Sequence, residues 1–273
     1  MRVGYLGPKG TFSHQAAEAH VRGQDVDVVP YNTITELILA LNNKDIDEAV
    51  VPIENSIEGA VNTTLDMLAW DVDLYIKKEI IVPIEQNLMA RHKQQRISRI
   101  ISHPQAIGQC REFLKKHFPH IPVQYTYSTA QAAGQVASSN EDWAAIASKK
   151  AAEEYGLQIL HASIQDNDSN VTRFIVLGHE FEEHADKSKT SIIFSTDNRP
   201  GSLYRILQIL NLWDINMTKI ESRPAKDSLG RYIFFVDIEG HWQDEDVQDA
   251  LTMIKKKTSF FKMLGSYPVE QKD

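Results

Sequence analysis

Short apolar runs alternate with stretches of helical periodicity from the start of this chain. Residues 3–6 read as a strand, 11–21 as a helix and 26–29 as a strand. Thr33-Ile34-Thr35-Glu36 reads as a capping box that opens a helix to about residue 41. A strand over 46–51, a helix over 61–70 and two extended segments within 74–89, broken near Pro83, follow. Short strands are predicted at 99–101, 123–127, 143–147 and 157–160, with helices over 105–118, 130–138 and 148–154. This alternation implies α/β layers with largely parallel sheets, and the length suggests two lobes with a cleft. Residues 181–188 are charged and aperiodic, as a linker would be. Beyond them come a strand (191–195), a helix (200–212), two strands (215–223 and 232–238), a helix (244–256) and a last strand (260–267). That order, βαββαβ, is ferredoxin-like.

The 273 residues fit about two domains, and 42% hydrophobic with 24% charged residues is ordinary for a soluble globular chain. The formal charge of −8 argues against a nucleic-acid partner, and no basic run is interleaved with aromatics. The single cysteine, Cys110, excludes an intrachain disulfide and fits a reducing compartment. No leader-like segment opens the chain and no apolar run reaches bilayer length, so a cytoplasmic protein without a membrane partner is expected.

Candidate chemistry gathers where polar loops meet strands. In Thr172-Arg173-Phe174 a hydroxyl and a fixed cation stand between the polar run 165–170 and the apolar run 174–177. Alone, this tripeptide reads as a strand-favouring Thr beside a surface Arg. Three segments place a small hydroxyl near a helix start: Ser13-His14-Gln15-Ala16, Ser102-His103-Pro104-Gln105 and Ser128-Thr129-Ala130-Gln131. Each serves as an N-cap, and three such ends aimed at one crevice would also suit an anion with several carboxylates. His14 and His103 read as structural hydrogen-bonders, with contact to the cleft as the alternative. Gly7-Pro8-Lys9-Gly10-Thr11 lacks the spacing of a phosphate loop, and the dinucleotide fingerprint is absent. The histidines show no metal-ligand spacing, so no cofactor or metal is expected.

Four segments together carry a resemblance: Gly4-Tyr5-Leu6-Gly7-Pro8-Lys9-Gly10-Thr11-Phe12-Ser13, Val50-Val51-Pro52-Ile53-Glu54-Asn55-Ser56-Ile57-Glu58-Gly59-Ala60, Ile100-Ile101-Ser102-His103-Pro104-Gln105-Ala106-Ile107-Gly108-Gln109 and Thr172-Arg173-Phe174. In order and spacing, residues 1–180 resemble the catalytic part of prephenate dehydratases, and residues 189–268 resemble the ACT domain that follows it. The resemblance implies a two-lobed, periplasmic-binding-protein-like catalytic domain, with lobes of about 1–76 with 164–180 and 77–163, then the 181–188 linker and the ACT domain. It implies decarboxylating dehydration of prephenate to phenylpyruvate in L-phenylalanine biosynthesis. Thr172 is then the essential hydroxyl, with Asn55, Ser102 and Gln109 beside it as catalytic residues. Substrate contacts are implied at Thr11, Ser56, Ala60, Ser128, Thr129, Arg173 and Phe174. Glu54 and Glu58 are expected to be structural, since buried carboxylates would repel a dianion.

The ACT resemblance implies phenylalanine as feedback effector, bound by Asn198, Pro200, Gly201, Ser202 and Leu203 and by Glu221, Ser222, Arg223 and Pro224. Tyr204 departs from the smaller residue usual there. Such modules pair, so a homodimer or homotetramer is expected. Arogenate dehydration is the neighbouring reading within this class. A ligand sensor that binds without turnover is the alternative outside it, against which the intact Thr172 and Asn55 segments argue. A chorismate mutase fusion is not expected, because the first strand begins at the chain start.

Overall fold

The computed structural model describes residues 1–93, 96–185, 187–226 and 231–269, so residue 186 of the expected linker and residues 227–230 of the expected ACT domain lie outside the described residues. The chain forms β1 (Arg2–Leu6), α1 (Phe12–His20), β2 (Asp27–Tyr31), α2 (Ile34–Asn42), β3 (Glu48–Asn55), β4 (Gly59–Ala60), α3 (Asn62–Trp70) and β5 (Tyr75–Pro83). Next come β6 (Asn87–Ala90), β7 (Arg99–Ser102), α4 (Pro104–Gln109), α5 (Arg111–His117), β8 (Val123–Tyr125), α6 (Thr129–Ser138), β9 (Trp143–Ala147), α7 (Lys149–Tyr155), β10 (Gln158–His161) and β11 (Val171–Gly178). The last part is β12 (Ser188–Ser195), α8 (Ser202–Leu212), β13 (Met217–Pro224), β14 (Tyr232–Glu239), α9 (Glu245–Lys257) and β15 (Phe260–Pro268).

Three sheets result, in the orders β2-β1-β3-β11-β5 with β4 on β3, β10-β6-β9-β7-β8, and β13-β14-β12-β15. By packing, one compact unit comprises Met1–Leu37, Val50–Gly59 and Ile81–Phe174, and the other Ile38–Ala49, Ala60–Ile80 and Ile175–Asp273.

The first unit holds the second sheet. Strand alternation sends Leu88, Ile100 and Ile146 to one face, against Ala106, Cys110 and Leu114 of α4 and α5. Met89, Ile101 and Ala145 go to the other face, against Ala133 and Val136 of α6 and Ala151 of α7. Both faces are covered, which explains the continuous apolar runs in its strands. The sheet is mixed: β7 is parallel to β8 and β9, while β6 runs antiparallel to β9 and β10.

Two expected elements are redrawn. The helix predicted over 105–118 breaks into α4 and α5 at Cys110. The Gln109 carbonyl accepts the Asp166 backbone N–H at 2.7 Å, and the Asp166 carboxylate caps Glu112 N–H at 3.2 Å, so a distant loop takes the bonds a continuous helix needs. Burial pushes the Cys110 thiol, already inaccessible, up to about 12, with the Asp166 charge adding to it. Strand β3 does not end at Pro52 but runs to Asn55. Burial is continuous over Glu48–Val51 and alternates from the proline on, which puts Ile53 and Asn55 inside, since extended backbone tolerates the fixed proline φ.

The second unit contains the antiparallel βαββαβ sheet. Ile192, Phe194, Val236 and Ile238 pack on Ile206 and Leu210 of α8 and on Val247, Leu251 and Ile254 of α9. The sheet is also tied to the segment Ala60–Ile80 of the same unit. Lys189 pairs with buried Glu79 at 2.9 Å, and Lys262 with Asp73 at 2.9 Å. Arg223 grips Asp66 through Nε at 3.2 Å and Nη2 at 3.0 and 3.1 Å, with Lys226 at 2.9 Å. Gly265 has φ +127°, and a Cβ there would meet the Ile76 carbonyl at 2.7 Å, so the backbones touch where only glycine fits.

Burial alone would raise the Asp66 pKa, but hydrogen bonds and charge from Lys226 and Arg223 outweigh it and hold the carboxyl below its ordinary value. A depressed folded-state pKa makes this contribution present above the unfolded value and lost as pH falls through the folded one. Asp66→Asn is therefore expected to lower Tm at neutral pH, with the difference from wild type shrinking as pH drops through the carboxylate range. Thermal melts of both proteins across that range check it.

Candidate active site

A cavity of about 250 Å³ opens in the first unit, and residues from the first turns of α1, α4 and α6 line it. Thr11 caps α1, its hydroxyl accepting the His14 N–H at 3.1 Å. Ser128 caps α6, accepting from Gln131 N–H at 3.0 Å. These two helix starts turn free N–H groups and positive dipole ends toward the cavity. Gly10, with φ +84°, lets the loop before α1 approach α7. A Cβ there would meet Ala151 Cα at 2.9 Å, and the Ser148 hydroxyl donates to the Gly10 carbonyl at 2.7 Å.

Two of the three expected caps fall elsewhere. Ser13 lies inside α1 and Thr11 takes the cap. Ser102 ends β7, and the His103 ring caps α4 by accepting from Gln105 N–H at 3.3 Å. Ser102 is fully buried, donates its hydroxyl to the Ile146 carbonyl at 2.6 Å, and does not line the cavity. The motif places it one residue before the helix cap, where strand pairing and not the cleft claims its side chain. Ser102→Ala is expected to cost about 1 kcal/mol of stability and leave kcat within a few-fold, which urea melts beside steady-state assays check.

Asn55 and Thr172 meet across 117 positions of sequence. Asn55 ends β3, and its Oδ1 accepts the backbone N–H groups of Ile57 and Glu58, both at 3.0 Å. Its Nδ2 donates to Thr172 Oγ1 at 2.9 Å, to Asn170 Oδ1 at 2.9 Å and more weakly to the Val171 carbonyl at 3.2 Å. Thr172 thus accepts a hydrogen bond, and among the described residues no protein group accepts its hydroxyl proton. Gln109, at the end of α4, also lines the cavity and accepts from Gln86 Nε2 at 3.4 Å.

Of the other expected substrate contacts, Thr11, Ser128 and Thr129 line the cavity, whereas Ser56, Ala60, Arg173 and Phe174 do not. Ser56 exchanges bonds with the other strand: its N–H donates to the Val171 carbonyl and its hydroxyl accepts from Val171 N–H. Arg173 follows Thr172 along β11 and so takes the opposite side, 3.9 Å from Glu54. Phe174 is core. Gln86, Gln105 and Tyr127 line the cavity without having been expected. Gln86 is only 3% exposed, yet it sits in the polar trio Glu85-Gln86-Asn87, which reads as an exposed turn and gave no signal of it. His14 is structural: burial lowers its pKa against the opposing Glu18 charge, and the ring accepts Gly10 N–H at 3.1 Å while stacking on Tyr5.

No Asp, Glu, Lys or Arg is among the described residues lining this cavity. Its polar lining is hydroxyls, amides, the His103 ring and helix ends, set beside Leu6, Phe12, Ile84 and Ala106. Such a wall stabilises anions with fixed dipoles instead of mobile counter-charges.

In the second unit a cavity of about 340 Å³ is lined by Asn198, Gly201, Ser202, Leu203 and Tyr204 at the start of α8. Pro200, Glu221, Ser222, Arg223 and Pro224 do not line it, and Arg223 is engaged with Asp66.

A mixed α/β part with a cavity free of charged residues among the described ones that line it, followed by a βαββαβ module, is the arrangement of a ligand-binding domain that carries a ferredoxin-like domain behind it. Residues 3–182 match the sequence profile of the prephenate dehydratase family, and residues 190–252 that of the ACT domain. A bifunctional chorismate mutase/prephenate dehydratase of Aquifex aeolicus is 43% identical over 269 residues, covering 98% of this chain and 74% of that protein. The prephenate dehydratase of Methanocaldococcus jannaschii is 41% identical over 271 residues, 97% of each. The crystal structure of the Arthrobacter aurescens prephenate dehydratase in complex with L-Phe superposes with a TM-score of 0.90 at 34% identity, covering 98% of this chain and 90% of that one. The chain belongs to the prephenate dehydratase family.

Proposed function

We propose that this enzyme converts prephenate to phenylpyruvate, CO2 and water, with Thr172 as the donor to the departing hydroxyl. The bond between the ring and its carboxylate breaks, its electron pair enters the ring, and the C–O bond to the 4-hydroxyl breaks as the ring becomes aromatic. Hydroxide leaves with one proton taken up, which balances the dianion to phenylpyruvate anion, CO2 and water. Hydroxide is a poor leaving group, so a hydrogen bond at that oxygen is the productive place for help.

The observation that carries this reading is the Asn55 Nδ2 to Thr172 Oγ1 bond. It occupies the threonine oxygen as acceptor and leaves the O–H to point at a ligand. Being an acceptor also polarises the hydroxyl and makes it a better donor. Gln109, Ser128 and Thr129, with the α1 and α6 ends, hold the carboxylates. Incubation with prephenate and with arogenate, following phenylpyruvate and phenylalanine separately, tests the substrate. Turnover of arogenate alone would reassign it, and binding without turnover would make the chain a sensor.

The place of this reaction is L-phenylalanine biosynthesis in the cytoplasm, and the product amino acid feeds back through the ACT domain. The related structure with L-Phe bound supports that effector, and the cavity at Asn198 and Ser202 offers helix-start N–H groups to an amino acid carboxylate. The effector cavity is completed by a second ACT copy, in a homodimer or homotetramer, through the Glu221–Pro224 end of β13. Asn198→Ala is expected to weaken phenylalanine inhibition roughly tenfold with kcat unchanged, within the usual range of allosteric coupling. Dose–response curves at fixed prephenate decide this. Removing the ACT domain is a poorer test, because it would strip Lys189 from buried Glu79.

A further inference from the structure

The orientation of two side-chain amides near Thr172 follows from the backbone. Asn55 Oδ1 takes the N–H groups of Ile57 and Glu58, and an amide nitrogen cannot accept from either. Nδ2 is therefore the atom that faces both Asn170 and Thr172. Asn170 must then present its oxygen, at 2.9 Å. Asn170 is 1% exposed, and its own Nδ2 is buried without a partner among the described residues. Its backbone carbonyl is engaged separately, accepting Ile84 N–H at 2.9 Å. The side chain thus makes one hydrogen bond among the described residues, as acceptor for the Asn55 amide.

The two protons of Asn55 Nδ2 lie in the amide plane at fixed directions. When Asn170 Oδ1 holds one, the other is left for Thr172 Oγ1 at 2.9 Å, the nearer of the two remaining acceptors, with the Val171 carbonyl at 3.2 Å. We propose that Asn170 is a positioning residue for the dehydration: by accepting from Asn55 it fixes the amide that polarises and orients the Thr172 hydroxyl. Nothing about Asn170 requires it to touch the substrate. The inference rests on the reading of Thr172 as donor.

The test is a double-mutant cycle in the full-length protein with prephenate as substrate, using Asn170→Leu, Asn170→Asp and Thr172→Val. Asn170→Leu removes the acceptor at similar size and is expected to lower kcat roughly tenfold to a hundredfold with KM little changed. Asn170→Asp keeps an acceptor facing Asn55 and is expected to hold kcat within about threefold of wild type, any cost falling on KM because a charge near a dianion opposes binding. In the Thr172→Val background, Asn170→Leu is expected to change kcat no further. An equal loss of kcat in both backgrounds would make Asn170 a structural residue and overturn the proposal, as would wild-type kcat in Asn170→Leu. If Asn170→Leu fails to give a cooperative melt, Asn170→Ala carries the same comparison. Full activity in Thr172→Val alone would overturn the underlying reading of the site instead, so the two failures are distinguishable.

Discussion

Thr172→Val should lower kcat for prephenate dehydration by roughly two to four orders of magnitude, the span a positioned proton donor usually supplies. Valine keeps the shape and β-branching of threonine, so β11 should tolerate it with little change in Tm. The residual rate should be that supplied by binding and by the neutral dipoles of the cavity, which remain in place. KM should move little, because the lost interaction strengthens only as hydroxide departs and so belongs to the transition state. Steady-state kinetics with purified variant and a melt of the same sample check both halves. A kcat near wild type would remove Thr172 from the chemistry.

Asn55→Asp is expected to be nearly as damaging, and for a reason peculiar to this geometry. The substitution is isosteric, and one carboxylate oxygen can still accept from Ile57 and Glu58 N–H. Asn170 can rotate its amide and donate where it formerly accepted. The fold should therefore survive. The second oxygen, however, now faces Thr172 as an acceptor. The threonine proton turns from the cavity to the carboxylate, and the hydroxyl ceases to be a donor to the substrate. We expect kcat to fall by roughly two to three orders of magnitude, with KM raised by the added negative charge beside a dianion. Raising the proton concentration should restore part of the activity, because protonating the introduced carboxylate removes the charge. A pH–rate profile of the variant against wild type measures this, and wild-type kcat in Asn55→Asp would sink the assigned direction of the hydrogen bond.

Much of this was legible in the chain. Local rules sufficed wherever one element's own neighbours decide the outcome: the period-2 runs of the strands, the capping box at Thr33, where Glu36 N–H does bond the hydroxyl at 3.0 Å, and the Ser128 cap. The βαββαβ order followed from the spacing of apolar runs alone. The segments bearing Thr172, Asn55 and Gln109 stood out through their resemblance to prephenate dehydratases and not through local pattern.

What remained hidden depends on partners far away in sequence. The helix breaks at Cys110 where Asp166 arrives to bond the Gln109 carbonyl and the Glu112 N–H. Ser102 looks like a cap until Ile146 in a neighbouring strand claims its hydroxyl. Arg223 reads as an effector ligand in the chain, and only the fold brings Asp66 of α3 to it. The sequence by itself determined the elements, their order and the residue types available for the chemistry, because those follow from periodicity and propensity within a few residues. The tertiary structure alone decided the direction of each hydrogen bond at Thr172. That direction is fixed by two backbone N–H groups beside Asn55 and by an oxygen 115 positions away, and no local pattern records such a meeting.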